Sequence, residues 1–293
     1  MAGSTHLDLD ELWDFDQPQA TEQKFRDLLP EVRDSGDVTT TCELLTQIAR
    51  AQGLQGHFEA AHNTLHEAEA LLPQSAPLAH ARYLLERGRV FNTSGDRRSA
   101  RRLFLEAWEF SREHGLDVFA VDAAHMLGII EPPDEQERWN LEAIRIAEAS
   151  GDHRVRRWLC SLYYNLGWTY HDAGRYDEAL ELFRRALACH QEVGQIRRAR
   201  IARWAVGRAL RSLERYDEAL AVQEALLVEL DAINVTDGYV YEEIGECLLA
   251  LGRPDEARPF FKRAYDALSN VEWLVQQTPE RLARLHALGV DED

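Results

Sequence analysis

The chain has 293 residues, 45% hydrophobic and 9% aromatic, enough apolar side chain to build one large core or an elongated array and too much for a disordered polymer. Its formal net charge of −18 repels nucleic acid and anionic membrane surfaces and so excludes non-specific binding to either. Lysine occurs only at Lys24 and Lys262, so nearly every cation is an arginine, whose planar fork suits carboxylates and aromatic rings.

The first segment, HLDLDELWDFDQPQ from His6 to Gln19, alternates acids with Leu, Trp and Phe. It is too short for a core of its own, so residues 1–19 are expected to be an acidic tail, either disordered or folded onto an Arg- and Trp-lined surface. Such docking can occur in the same molecule or in a neighbour, which leaves self-association through the tail open. The N-terminus lacks a basic start followed by an apolar run, and no stretch approaches the ~18 apolar residues of a membrane span. A cytoplasmic location away from membranes is expected. A single capping helix is predicted next, from about Thr21 through TEQKFRDLLPEVRDSGD.

From there the sequence repeats. Ala49, Gly88, Gly128, Gly167, Gly207 and Gly245 follow one another at steps of 39, 40, 39, 40 and 38. Twelve residues after each stand Ala61, Ala100, Asn140, Ala179, Ala219 and Ala257. Seven further on come Ala68, Ala107, Ala147, Ala186, Leu226 and Ala264. Within a unit, apolar residues recur every three or four positions, as at Leu162, Leu166, Thr169 and Tyr170 and then Ala179, Leu182, Phe183 and Ala186, which predicts two amphipathic helices. The intervening DAGRYDE supplies Gly174 for a helix end, then acids suited to the positive start of the next helix. GRPDEA in the last unit places Pro254 in a first helical turn.

Leu166, Gly167, Tyr170, Ala179, Phe183 and Ala186, in that order, resemble the tetratricopeptide repeat family. Ile244, Gly245, Leu248, Ala257, Phe261 and Ala264 nearly repeat the pattern. The resemblance, from about Thr39 to Asn270, implies an all-α fold: a right-handed α-solenoid of six helical hairpins between capping helices. Residues 20–293 would form that single solenoid, with repeats at about 39–77, 78–117, 118–156, 157–196, 197–234 and 235–270 and a C-terminal cap at 271–293. The usual repeat has about 34 residues; units of about 39 are similar to the long-repeat branch of kinesin light chains and bacterial peptide-sensing regulators. Pro132 and Pro133 should stop the first helix of the third unit early, and Asn140 replaces its packing alanine, so a bend or loosened packing is predicted there. TPERLARLHALG reads as a terminal helix with Thr278 as N-cap, Pro279 in its first turn and Gly289 at its end.

The resemblance also implies that the first helix of each unit lines a concave face. Six and three residues before the repeat glycine, and one and four after it, form one helical stripe. The first unit contributes Arg50. The second gives Arg82, Leu85, Arg89 and Asn92; the third Asp122, His125, Ile129 and Pro132. The fourth gives Ser161, Tyr164, Trp168 and His171, with Asn165 beside them. The fifth gives Ile201, Trp204, Arg208 and Arg211, and the sixth Tyr239, Glu242, Glu246 and Leu249. In the long-repeat relatives, inner-face Asn holds a bound peptide's backbone and Arg its acids; Asn92, Asn165, Arg89, Arg208 and Arg211 match those roles. Arg82, His125, Tyr164, Trp168, His171 and Trp204 complete the candidate peptide-binding set, of residue types enriched at recognition hot spots. The alternative is that Trp168 and Trp204 pack against neighbouring repeats while the arginines pair with Glu on the next helix.

No phosphate-binding glycine loop, GxSxG or HExxH occurs, and no enzyme activity or cofactor is expected. His62 and His66, with Glu59 and Glu69, could in principle hold a metal, but they share a polar face and read as solvated. Cys42, Cys160, Cys189 and Cys247 stand far apart and are expected to be buried free thiols. The function expected is a scaffold or adaptor that binds an acidic or aromatic peptide segment of another protein. A ligand or signal-peptide sensor, acting through solenoid curvature with Pro132 and Pro133 as hinge, is the alternative.

Overall fold

The computed structural model describes residues 9–290; His6 to Asp8 of the acidic segment lie outside the described residues. All regular elements among those described are helical. The chain divides after Trp158 into two compact units.

The first unit opens with a short 3-10 turn, Leu9–Leu12, and helix α1, Pro18–Asp34. Helix α1 starts three residues before the expected Thr21, because Pro18 takes the first-turn position where a missing N–H does no harm. Three hairpins follow: α2 (Val38–Leu54) with α3 (Phe58–Leu71), α4 (Pro77–Thr93) with α5 (Arg97–Glu113), and α6 (Asp117–Ile130) with α7 (Pro133–Ala149). A single turn, α8 (His153–Arg156), closes the unit. The second unit holds α9 (Leu159–Asp172) with α10 (Tyr176–Glu192), α11 (Ile196–Ser212) with α12 (Tyr216–Asp231), and α13 (Gly238–Ala250) with α14 (Pro254–Leu268), then α15 (Glu272–Gln277) and α16 (Pro279–Gly289). Six helical hairpins thus follow one another among the described residues.

Close approach within each hairpin explains the repeat glycine. A Cβ on Gly88, Gly167 or Gly245 would lie 2.5, 2.6 or 2.9 Å from the ring of Phe104, Phe183 or Phe261, each sixteen residues later. Those rings are at most 1% exposed. Gln223 takes the ring's place in the fifth hairpin and donates from Nε2 to the Trp204 carbonyl at 3.0 Å.

The third hairpin departs from the sequence reading. Pro132 and Pro133 do end the first helix early, but only two residues separate α6 from α7, and α7 slides four residues relative to the other second helices. Asn140 therefore fills the phenylalanine position, not the alanine position: it is the side chain that a Cβ on Gly128 would meet, at 2.9 Å. Ala143, fully buried, becomes the small contact. With the register absorbed this way, α6 and α7 pack side by side like the other hairpins, and the expected loosening is absent.

Two further expectations need correction. Cys160 and Cys189 are not free: they form a disulfide across α9 and α10. Folding the hairpin at Gly174 brings together one cysteine 14 residues before the turn and one 15 after it. Cys42 and Cys247 are the buried free thiols, and burial pushes them up to about 11 and about 12. At the C-terminus Thr278 takes the N-cap position of α16 as expected, but its side chain makes no capping bond there; its hydroxyl donates to the Leu274 carbonyl at 3.2 Å. Gly289 ends that helix as expected, but its lack of a side chain serves contact: a Cβ would lie 2.8 Å from the Lys262 backbone on α14.

Candidate functional site

The first helices carry the candidate stripe, and the two units differ in what they place on it. In the first unit the stripe is an ion-pair network. Arg89 reaches Glu86 one turn back at 2.7 Å and also Asp122 on α6. Arg50 on α2 meets the same Glu86 at 3.3 Å, and Arg82 lies 3.8 Å from Glu43. Glu86 is 2% exposed, so its carboxylate is cut off from solvent and needs a guanidinium beside it. Burial works against the Arg89 charge, yet Asp122 and Glu86 outweigh it and push the pKa up. Burial lowers that of Arg50. Three arginines balance three acids here, and of these pairs only Arg50 with Glu86 joins an arginine to a Glu on the next first helix.

Asn92, one turn beyond Arg89, is partly exposed. The His125 ring on α6 lies 5.2 Å from that of Trp158. Residues His62 and His66 on α3 make no metal site: the His62 ring packs 4.7 Å from Phe91, and among the described residues no His, Cys, Asp and Glu group is placed to hold a metal.

In the second unit the stripe is aromatic. Tyr164 and Trp168 meet edge to face at 6.2 Å, Trp168 lies 5.9 Å from Trp204, and Trp204 lies 6.1 Å from Tyr239. The Trp204 indole N–H donates to the Tyr239 carbonyl at 3.2 Å, and Arg281 from α16 covers the Tyr239 ring at 5.2 Å. Trp168 rests on Phe183 at 5.1 Å. All four rings remain partly exposed, as does Asn165 beside them. His171 is buried, with Nε2 3.0 Å from the Ser212 hydroxyl, and burial lowers its pKa.

At the end of this ladder, Arg211 clamps Glu243 with two hydrogen bonds of 2.7 and 3.0 Å, and Arg208 approaches the same carboxyl at 3.3 Å. Arg281 pairs with Glu242 and Arg284 with Glu246. Four guanidiniums thus face three carboxyls. Burial pushes the Glu243 carboxyl up, against the pull of Arg211. The cluster leans positive within a strongly acidic chain.

A second column runs beside the stripe. Two residues before the repeat glycine stand Gln47, Glu86, Asn165 and Glu243; only Asn165 was singled out, although the period that placed it places the others. Glu86 and Glu243 are what hold Arg50, Arg89, Arg208 and Arg211 in place.

Family models described as tetratricopeptide repeat match residues 134–192, 158–227 and 237–272. No curated sequence matches significantly. Among solved structures, BtubC (BKLC) from P. vanneervenii is 20% identical with a TM-score of 0.61, over 78% of this chain and 93% of its own. The signal transduction ATPase with numerous domains and a tetratricopeptide repeat sensor from Pyrococcus horikoshii is 16% identical with a TM-score of 0.72, over 91% of this chain and 42% of its own. The apo form of RapI is 12% identical with a TM-score of 0.71, over 94% of this chain and 78% of its own. At these identities the likeness is one of fold.

Proposed function

Since the chain is a tetratricopeptide-repeat protein, we propose that it is a protein-interaction scaffold whose second unit holds a peptide segment of a partner on the first-helix face. The observation that carries this reading is the row of partly exposed rings Tyr164, Trp168, Trp204 and Tyr239, beside a cluster with one more guanidinium than carboxyls. Large rigid rings supply apolar contact at small entropic cost. Arg208, 31% exposed at its side chain, retains donors for an incoming carboxylate. Asn165 lies where an amide can pair with a peptide backbone. The favoured ligand is an extended acidic segment carrying an aromatic or large aliphatic residue. Nothing in this set performs covalent chemistry, and the reading needs no cofactor.

A sensor acting through a hinge at Pro132 and Pro133 draws no support from the third hairpin, whose helices pack like the others. The scaffold reading is tested with an array of acidic nonapeptides with and without Trp or Phe, followed by titration of the binders. Trp168→Ala and Arg208→Glu should each weaken a binder at least about tenfold. Unchanged affinity in both variants, with native circular dichroism, would refute it.

A further inference from the structure

The acidic N-terminal segment lies against the first helix of the first repeat. Leu9 is 2% exposed. Trp13 donates its indole N–H to Gln47 Oε1 at 2.6 Å, stacks on Phe15 at 4.7 Å and meets Phe25 edge-on at 5.5 Å. The Arg50 guanidinium lies 5.2 Å from the Trp13 ring and 4.9 Å from the Phe15 ring. Thr21 ties the segment back to α1: its Oγ1 accepts from the Asp14 N–H at 3.2 Å, and its O–H donates to the Asp14 carbonyl at 3.0 Å. Gln47 and Arg50 occupy, in the first repeat, the columns that Asn165 and Trp168 occupy in the fourth and that Arg208 shares in the fifth. An aromatic and acidic stretch of the chain is therefore seated on candidate binding positions.

We propose that residues 9–17 are a built-in, displaceable occupant of the first repeat's inner helix. Its external competitor would be an acidic segment with two aromatic residues flanking one acid, as Trp13 and Phe15 flank Asp14. The proposal rests on the scaffold reading and extends it to a second face with its own ligand chemistry. Displacement is feasible because the seat on that helix is small: among the described residues one side-chain hydrogen bond, Trp13 to Gln47, and the Arg50 cation–π contacts, with Phe15 still 53% exposed. Tethering gives the segment an effective concentration on the order of millimolar. A free peptide of the same chemistry binds poorly until the segment is removed.

The probe is a fluorescent peptide of residues 9–17, LDELWDFDQ, titrated into the full chain and into the W13A/F15A variant. Removing the internal occupant should tighten binding at least about tenfold, and adding Arg50→Glu should abolish it. Equal affinity for the two chains, or no binding by a double variant with native circular dichroism, overturns the proposal. Should the double variant unfold, fluorine NMR of the full chain labelled with 5-fluorotryptophan decides. The Trp13 resonance, assigned through Trp13→Phe, must move toward its free-peptide position when excess unlabelled peptide is added; a resonance that stays put overturns the idea. A partner peptide that depends on Trp168 and Arg208 while LDELWDFDQ never shifts Trp13 rejects this proposal and leaves the scaffold reading standing.

Discussion

At the scale of single residues, Glu243 is the most informative side chain. It is 4% exposed, and burial raises its carboxyl pKa further than Arg211 can lower it, to about 7. Arg211 shows the other side of the pairing: burial opposes its charge, but Glu243 outweighs burial and raises its pKa. The sign of the pH effect follows. A carboxyl whose folded pKa lies above the unfolded value of 4.5 contributes its stability below about pH 4.5 and loses it as pH rises through about 7. Glu243→Gln is neutral throughout, so the wild-type chain should lose stability relative to this variant between about pH 5 and pH 8. Paired urea melts measure the difference; a gap that is flat with pH would show that the carboxyl is ionised throughout. Gln47 and Glu86 teach a similar lesson. Both sit in a column the repeat period makes visible, yet a lone Gln or Glu in a chain with 51 acids looks like solvated surface until the neighbouring helix is in place.

Helices and turns follow local chemistry closely. Gly174 and Gly252 take φ of 75° and 73° where a first helix ends, the left-handed region that favours glycine. At the matching point of the fifth hairpin stands Glu214, with φ of 60°, exposed to solvent. Glu214→Gly should therefore stabilise the chain by about 1 kcal/mol, read as a later urea transition; a neutral or destabilising result would show that its side chain contributes an interaction. The second helices of hairpins four to six open alike, with Arg175, Arg215 and Arg253 each paired to the Glu three residues on. These pairs are exposed and individually worth little; their recurrence marks the helix start. The Cys160–Cys189 bridge ties the two helices of the fourth hairpin over a separation of 29 residues. Reducing it should cost about 3–4 kcal/mol by the loop-entropy estimate and move the urea transition earlier. A transition indifferent to reductant would mean that the hairpin does not depend on the bridge. Because the cytosol reduces disulfides and oxidising compartments preserve them, the compartment decides which form the protein takes.

For the molecule as a whole, six repeats and their period were legible because the same packing problem is solved six times. A glycine must admit a ring, and alanines must let two helices close. No such redundancy exists for the third hairpin. There a four-residue slip changed which side chain Asn140 replaces, while the overall step of 39 residues to the next unit concealed it. Stripe positions were equally legible, since helical geometry puts residues three and four apart on one side. What those side chains touch was not. The sequence by itself determined the all-helical hairpins and the turns that separate them, because these depend on contacts within about forty residues that recur in every repeat. Only the tertiary structure decided which arginines meet which carboxyls, that Cys160 and Cys189 join, and that Trp13 lies against Gln47 and Arg50. Each of those is a meeting between different helices or segments, set by the spacing and rotation of packed elements that one-dimensional periodicity does not encode.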